Sequence, residues 1–267
     1  MTQPATSQFV TVDGLRLRVQ VQGTGPPLLL IMGLGGNIEM WGPLITALPG
    51  RQTIAYDAPG TGESEVPRSL VRPRGLARMA DRLLETLGYE SADVLGVSFG
   101  GGIAQELAFQ SPSRVRRLIL AATSCGIGSL PGNPLALSIL MTPLRYYSER
   151  YLSFVAPFLY GGGARRPDLM GEQMLARLHR RPSLLGYLLQ LGAGAGWSSL
   201  PFLSRISQPT LVMTGDDDPI IPLVNGRILA RMIPNARLHV VRGGGHLFLL
   251  DRTAESATVI DGFLGGL

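Results

Sequence analysis

The chain has 267 residues, of which 45% are hydrophobic and 16% are charged, a balance that excludes an intrinsically disordered protein. This length fits one large α/β domain, or such a domain with a sizeable insertion. The formal net charge of +5 comes entirely from arginine, since the sequence contains no lysine. No recognition module for DNA or RNA accompanies that charge, so nucleic-acid binding is not expected.

The cysteine content and the apolar segments bear on where the protein works. Cys125 is the only cysteine, so an intrachain disulfide is excluded and a cytoplasmic location is expected. We expect Cys125 itself to be a small core or pocket residue. Residues 1–8 lack the basic and apolar regions of a secretory signal. The most apolar stretch, residues 135–159, is interrupted by prolines and charged residues, so a transmembrane segment is not expected.

The first half of the chain predicts strands that alternate with helices. Asp13-Gly14 is a strong signal for a tight turn, and the residues on both sides alternate between apolar and polar, as in a β-hairpin. The next strands are continuous apolar runs, which are typical of a buried parallel sheet. The pattern predicts strands at 9–12, 15–19, 28–32, 52–56, 92–95 and 115–121, and helices at about 75–87 and 100–110.

The pattern changes between about Cys125 and Arg205. There it becomes helical, with proline and glycine interruptions and many large aromatic side chains, of which we expect at most a few to line a pocket. Strands then return at 210–214 and 237–241, with helices at 223–233 and 254–264. We therefore predict an α/β fold whose core comprises residues 1–124 and 206–267, with a helical lid (the lid segment) at residues 125–205.

One short motif at the end of a predicted strand points to chemistry. Residues 96–100 read Gly-Val-Ser-Phe-Gly, which matches G-x-S-x-G, the turn that lifts a serine off a strand and onto the start of a helix. The serine of such a turn has a strained backbone, and its neighbours two residues away must be small because strand and helix come close. Ser98 is therefore the predicted nucleophile.

A serine nucleophile needs a base, and the chain has three histidines. His239 falls inside an apolar strand and is predicted to be a buried structural residue. His179 lies among arginines of the lid segment and is predicted to be solvated. His246 follows three glycines after the last strand, at the sheet edge where sites of open α/β sheets form, and it is the predicted base.

The base in turn needs an orienting acid. Three consecutive carboxylates, Asp216, Asp217 and Asp218, follow the penultimate predicted strand. We predict that Asp218, 28 residues before His246, is the acid, and Asp217 is the alternative. The order Ser, Asp, His is the one expected for this kind of fold.

Two backbone N–H groups are predicted to form an oxyanion hole. One belongs to Phe99, directly after the nucleophile, and the other to Leu34, in the glycine-rich loop 33–37 after the strand 28–32. No G-x-G-x-x-G follows a strand, and the chain has neither a P-loop lysine nor clustered cysteine and histidine. Accordingly, neither a cofactor nor a metal is expected.

The whole chain resembles the α/β hydrolases, including residues 57–64, which match the D-x-P-G-x-G-x-S loop of that superfamily. The resemblance implies a mainly parallel, eight-stranded sheet flanked by helices, with a helical lid inserted. We interpret Asp57 in this loop as structural: it stabilises the turn.

From the G-x-S-x-G turn at residues 96–100 onward, the chain resembles the intracellular medium-chain-length poly(3-hydroxyalkanoate) depolymerases. The matching segments are 120–123, 131–134, 156–157, 160–163, 192–197, 214–223 and 245–249. The resemblance implies serine esterase attack on an aliphatic polyester, with Ser98, Asp218 and His246 at the positions of the family's triad. It leaves open whether the protein associates with the surface of a polymer granule.

Other functions use the same scaffold. A small-molecule carboxylesterase or lactonase, a C–C bond hydrolase or a cofactor-free perhydrolase would have the same triad, and a non-catalytic ligand receptor would use only the pocket. The loop at Ile31-Met32-Gly33 departs from the His-Gly of the wider superfamily and the Asn-Gly of the depolymerases, although a backbone donor survives that change. Dehalogenases and epoxide hydrolases are disfavoured, because they need aspartate where Ser98 stands.

Overall fold

The computed structural model describes residues 7–166 and 180–265. Its strands are β1 (Ser7–Val12), β2 (Leu15–Gln22), β3 (Pro27–Ile31), β4 (Gln52–Tyr56), β5 (Ala92–Val97), β6 (Val115–Ala121), β7 (Thr210–Gly215) and β8 (Ala236–Val241). Its α-helices are α1 (Gly42–Thr46), α2 (Pro73–Thr86), α3 (Phe99–Gln110), α4 (Pro134–Leu140), α5 (Glu149–Tyr160), α6 (Leu184–Gly194), α7 (Leu223–Met232), α8 (Phe248–Asp251) and α9 (Thr253–Leu264). Short 3₁₀ helices lie at Ile38–Trp41, Pro112–Arg114, Leu144–Tyr146, Gly162–Arg165 and Leu203–Arg205.

The eight strands form one sheet in the order β1-β2-β4-β3-β5-β6-β7-β8. Strand β2 pairs antiparallel with β1 and β4, whereas the pairs from β4 through β8 are parallel. At the predicted hairpin, Asp13 and Gly14 both have positive φ angles, +49° and +78°, as a tight two-residue turn requires. The expected mainly parallel, eight-stranded sheet is thus confirmed, and β5, which leads to Ser98, lies in its interior.

Apolar side chains that alternate along the strands divide between two cores, one on each face of the sheet. On one face, Leu29 and Val94 pack with the apolar residues of α2, α3 and α7. On the other face, Leu30 and Leu95 pack with α1, α8 and α9. The interior parallel strands β3, β5 and β7 are buried on both faces, which is why their sequences are mainly apolar rather than alternating, whereas β8 at the sheet edge is only partly buried.

Between β6 and β7 the described chain is helical and has a small core of its own. Leu152, Val155 and Leu159 of α5 pack with Ile139 of α4 and with Ile220, which follows β7. This apolar cluster lies outside both sheet cores, so α4 and α5 form a separate layer. In the parts of the chain that the structure describes, no helix combines the length and the apolar character needed to cross a bilayer.

The predicted elements agree with the structure except at their ends, where most differ by one to three residues. The sequence patterns missed the 3₁₀ turn Ile38–Trp41 and the helix Gly42–Thr46, because neither is long enough to repeat an apolar period. The prediction that His239 is buried is wrong. Its side chain on β8, the last strand of the sheet, keeps 32% exposure and lies 3.7 Å (Nε2 to Oε1) from Glu255.

Candidate active site

Ser98 stands at the sharp turn between β5 and α3. Its backbone has φ +54° and ψ −120°, a conformation that side chains other than glycine rarely adopt. Two hydrogen bonds hold the turn: the Ser98 N–H donates to the Ala121 carbonyl (2.9 Å), and the Thr123 hydroxyl donates to the Ser98 carbonyl (2.7 Å). The predicted strain is therefore present, and the surrounding strands maintain it.

The two glycines that flank this turn are required by close backbone approaches. A Cβ atom on Gly96 would lie 2.4 Å from the Gly100 carbonyl oxygen, and a Cβ atom on Gly100 would lie 2.2 Å from the Ile31 carbonyl oxygen. Real side chains do not tolerate such distances, so both positions must be glycine for α3 to start against β5 and β3. This agrees with the steric reason for the G-x-S-x-G spacing.

The loop after β8 brings His246 to Ser98. The His246 Nε2 atom lies 3.0 Å from the Ser98 Oγ atom, which is hydrogen-bond distance. The backbone N–H of His246 donates to the carbonyl of Tyr160, the last residue of α5, at 2.7 Å. The histidine loop is thus held by the sheet on one side and by the lid segment on the other.

Asp218 is the carboxylate that meets His246. Its Oδ2 atom lies 2.8 Å from His246 Nδ1, and its Oδ1 atom accepts backbone N–H bonds from Ile220 (2.8 Å) and Ile221 (2.9 Å). These bonds hold the buried carboxylate in one orientation. The arrangement favours the imidazole tautomer that carries its proton on Nδ1 and leaves Nε2 to accept a proton from Ser98.

The neighbouring carboxylates are turned away from the histidine ring. Asp216 accepts the backbone N–H of Gly243 (2.6 Å). Asp217 accepts the Gly162 N–H (2.8 Å) and pairs through both oxygens with Arg165 of the lid segment (2.7 and 3.0 Å). Burial alone would raise the pKa of Asp217, but the Arg165 guanidinium outweighs it and lowers that pKa. Asp216 therefore binds the loop after β8, and Asp217 binds the lid segment.

The glycine-rich loop after β3 passes beside Ser98. A Cβ atom on Gly33 would lie 3.1 Å from the Ser98 Cβ atom. The Gly33 carbonyl accepts the Gly36 N–H (3.0 Å), and in a trans peptide the Leu34 N–H points away from that carbonyl. Within residues 7–166 and 180–265, neither the Leu34 nor the Phe99 N–H has a protein acceptor. Both predicted donors are thus without a protein acceptor in the described parts of the chain.

The lid segment orients the peptide unit that follows Leu34. The Tyr146 hydroxyl donates to the Leu34 carbonyl (2.7 Å), and the Gly35 N–H donates to the side-chain oxygen of Gln190 on α6 (2.9 Å). The Gln190 amide nitrogen donates in turn to the Pro59 carbonyl (3.5 Å). Sequence reasoning missed both side chains, because nothing in the local pattern distinguishes them from packing residues.

A largely apolar cavity opens beside Ser98 and His246. Leu34 and the lid tyrosines Tyr146 and Tyr160 also line it. Most of the remaining wall is apolar and comes from Met32, Met40, Trp41, Leu140, Leu249 and Leu250. The expectation that few lid aromatics would line a pocket is confirmed, since Phe154 and Phe158 point outward instead.

Asp57 has the structural position expected of it. Its oxygens accept the backbone N–H groups of Ile38 (2.8 Å) and Glu63 (3.0 Å), and Arg18 lies 3.3 Å away. Glu39 forms ion pairs with Arg18 and with Arg180 of the lid segment, each at 2.7 Å. Burial raises the pKa of Asp57 despite these donors. The network ties the loop after β4 to the loop after β3.

Cys125 is a buried core residue, as expected, and its Sγ atom lies 3.2 Å from the Ser129 hydroxyl. His179 lies outside the described residues.

The chain matches the Alpha/beta hydrolase family over residues 28–259. It is 43% identical to a poly(3-hydroxyalkanoate) depolymerase of Ectopseudomonas oleovorans, an alignment that covers 99% of this chain and 94% of that protein. It is 28% identical to a 2-hydroxy-6-oxo-6-phenylhexa-2,4-dienoate hydrolase of Burkholderia cepacia, with 92% of each chain covered. Among solved structures, a thermophilic esterase from Thermogutta terrifontis superposes with a TM-score of 0.81 at 25% identity, covering 97% of this chain and 98% of that one.

Proposed function

The chain belongs to the alpha/beta hydrolase family, and from that premise we propose that it is a serine ester hydrolase acting on a medium-chain poly(3-hydroxyalkanoate) or a similar aliphatic polyester. The observation that carries the proposal is the hydrogen-bonded series Ser98, His246 and Asp218 at the wall of an apolar cavity. The 43% identity with the Ectopseudomonas depolymerase supports the substrate class.

The proposed reaction is a two-step acyl transfer. His246 takes the Ser98 hydroxyl proton as the oxygen attacks the ester carbonyl, and then gives that proton to the departing alcohol. Asp218 holds the imidazole and stabilises its charge. In the second step His246 takes a proton from water, whose oxygen attacks the acyl-enzyme, and returns the proton to Ser98 as the acid leaves.

Two backbone amides would stabilise the charge that develops on the carbonyl oxygen. These are the N–H groups of Phe99 and Leu34, which the protein leaves without acceptors in its described parts. Each such donor is typically worth about 3 kcal/mol in the transition state. The hydrogen bonds from Tyr146 and to Gln190 keep the Leu34 loop in place before the substrate arrives.

The cavity wall supports an alkyl substrate. Its side chains are mainly aliphatic or sulfur-containing, so a medium-length hydrocarbon chain would be buried there against apolar groups. We expect acyl chains of about six to twelve carbons to be preferred, because burying each methylene contributes about 0.8 kcal/mol until the cavity is filled. A series of p-nitrophenyl esters from acetyl to palmitoyl measures this, and a maximum at acetyl would contradict it.

The outer surface of the lid segment supports contact with the polymer itself. Of the large hydrophobic side chains exposed in the described chain, all except Phe9 and Leu70 belong to this segment, and Phe154 is 72% exposed. A concentration of this kind is typical of a surface that binds an apolar partner. We propose that it rests on the surface of a polyester granule in the cytoplasm.

The test uses amorphous particles of medium-chain polyhydroxyalkanoate beside p-nitrophenyl octanoate, with Ser98→Ala as the blank. Release of 3-hydroxy acids together with cleavage of the small ester would support the proposal. Cleavage of the small ester alone would mean that the substrate is a small ester or lactone and not the polymer. If neither substrate is cleaved but a dienoate such as that named for the Burkholderia relative is turned over, the reaction is C–C bond hydrolysis and not ester hydrolysis.

A further inference from the structure

A buried arginine lines the cavity, and the proposed acyl transfer does not use it. Arg145 belongs to the 3₁₀ turn Leu144–Tyr146 of the lid segment and is only 2% exposed. It lines the same cavity as Ser98 and His246. Arginine is almost never fully buried unless a carboxylate or another acceptor compensates its charge, so this position calls for a partner.

The protein satisfies only part of this guanidinium. The Nη1 atom donates to the Thr142 carbonyl (3.0 Å) and to the Tyr187 hydroxyl (2.6 Å). The Nε atom is buried and has no acceptor. Across residues 7–166 and 180–265, no acceptor for Nη2 and no carboxylate within ion-pair distance is found. One edge of the fork, Nε with Nη2, therefore has no acceptor in the described parts of the protein.

The surroundings hold the group in place and keep it charged. The guanidinium lies over the rings of Tyr146 (4.7 Å to the centroid) and Tyr187 (5.1 Å). Burial alone would lower the pKa of Arg145, but the neighbouring tyrosines outweigh it and raise that pKa. The Tyr187 hydroxyl also donates to the Leu140 carbonyl (2.5 Å), which anchors the turn to the end of α4. A rigid, positively charged fork is thus built into an otherwise apolar wall.

A carboxylate is the ligand that fits an Nε and Nη2 edge, because its two oxygens accept two parallel N–H bonds. We propose that Arg145 binds the free carboxylate at the carboxyl end of the polyester chain, and so selects the terminal ester for cleavage. This inference rests on the proposed ester hydrolase function. Hydrolysis of that ester by one water releases a 3-hydroxy acid whose hydroxyl receives the proton from His246, and whose carboxylate is the group Arg145 holds.

Binding to a protein that cannot hydrolyse tests the site directly. In a Ser98→Ala background, titration calorimetry compares 3-hydroxyoctanoate with 3-hydroxyoctanamide, which has the same shape without the charge. We expect the acid to bind about 10- to 100-fold more tightly, the range for hydrogen bonds to a charged group. Equal affinities, or no measurable binding of the acid up to 10 mM, would overturn the proposal.

Variants at the site test whether Arg145 causes the preference for the acid over the amide. In Arg145→Gln the preference for the acid should disappear, whereas Arg145→Lys should keep part of it because the charge remains. Arg150→Gln, which changes an exposed arginine of the same segment, is the matched control and should leave the preference unchanged. If Arg145→Gln does not fold, the acid and amide comparison in the Ser98→Ala protein still decides the question.

Oligomer kinetics separate this inference from the function on which it rests. Wild-type protein should cleave a 3-hydroxyoctanoate trimer with a free carboxyl end at least tenfold faster, in kcat/KM, than its methyl ester, and Arg145→Gln should abolish the difference. Equal cleavage of both would keep the ester hydrolase and overturn the role of Arg145. If neither oligomer is cleaved but calorimetry still shows an Arg145-dependent preference for the acid, the carboxylate site stands and the proposed polyester substrate is wrong.

Discussion

The side-chain oxygen of Gln190 accepts the backbone N–H of Gly35 at 2.9 Å, although the two residues are 155 positions apart in the chain. Gln190 belongs to α6 of the lid segment, and Gly35 follows the proposed oxyanion donor Leu34. Tyr146, also of the lid segment, holds the Leu34 carbonyl in the same peptide unit. Residues of the lid segment therefore line the cavity and also hold the loop on which the proposed oxyanion hole depends.

Replacing Gln190 by leucine should lower kcat by about tenfold with little change in KM. The substitution leaves the buried Gly35 N–H without an acceptor, which costs about 1–3 kcal/mol, and it frees the Leu34 loop to move. Steady-state kinetics on p-nitrophenyl octanoate measure kcat and KM separately. Gln190→Glu, which keeps an acceptor oxygen, should restore part of kcat.

The control for this variant is Gln208→Leu. Gln208 is equally buried, at 5% exposure, but its amide donates to the Ala108 and Pro112 carbonyls, away from the site. It should lose stability without losing kcat in the folded fraction. A fall in kcat of the same size in both variants would show that Gln190 acts through stability alone.

Replacing Ser98 should separate strain from chemistry. Ser98→Ala and Ser98→Gly should both abolish hydrolysis and labelling by a fluorophosphonate, since both remove the nucleophile. Ser98→Gly should nevertheless be the more stable of the two, by about 1 kcal/mol, because glycine adopts φ +54° without the steric penalty. Urea unfolding of the two variants measures the difference, and turnover within about tenfold of wild type in either would refute the assignment of the nucleophile.

The three adjacent aspartates allow a comparison within one loop. Asp218→Asn should lower kcat by about 10⁴, because the amide would present the wrong hydrogen-bonding group to His246 Nδ1. Asp216→Asn and Asp217→Asn should stay within about tenfold of wild type, since those side chains bind Gly243, Gly162 and Arg165 instead. Initial rates on one small ester measure all three, and a larger loss in Asp217→Asn would transfer the acid role to that residue.

Stability in acid should depend on Glu39. Burial by itself would raise the pKa of Glu39, but its hydrogen bond with Arg18 and the charges of Arg18 and Arg180 outweigh burial and lower that pKa. A carboxyl whose pKa is lower in the folded state stabilises the protein above its unfolded value, about 4.3, and loses that contribution as pH falls through the folded value.

We therefore expect Glu39→Gln to lower the free energy of unfolding at pH 7 and to make it less sensitive to pH below about 5. Urea unfolding at a series of pH values checks this. Glu85→Gln, an exposed position on α2, is the control and should leave the curve parallel to wild type. An unchanged slope in Glu39→Gln would mean that the Arg18 network does not contribute to acid sensitivity.

Local patterns in the sequence determined the architecture of this protein. Buried parallel strands must be apolar on both faces, and a serine at a strand-to-helix turn needs small residues two positions away, so both features are readable over a few residues. The order of Ser98, the acid loop and His246 along the chain was also readable, because each follows a predicted strand.

Only the tertiary structure decided which carboxylate lies against His246, that Tyr146 and Arg145 line the cavity, and that Gln190 holds the loop after Leu34. Asp216, Asp217 and Asp218 have the same chemistry and adjacent positions, and they differ only in where the backbone turn directs each side chain. The lid side chains reach the core through contacts more than 100 positions apart in the chain. Hydrophobic periodicity reports burial against neighbours on one element, so it carries no information about such distant partners.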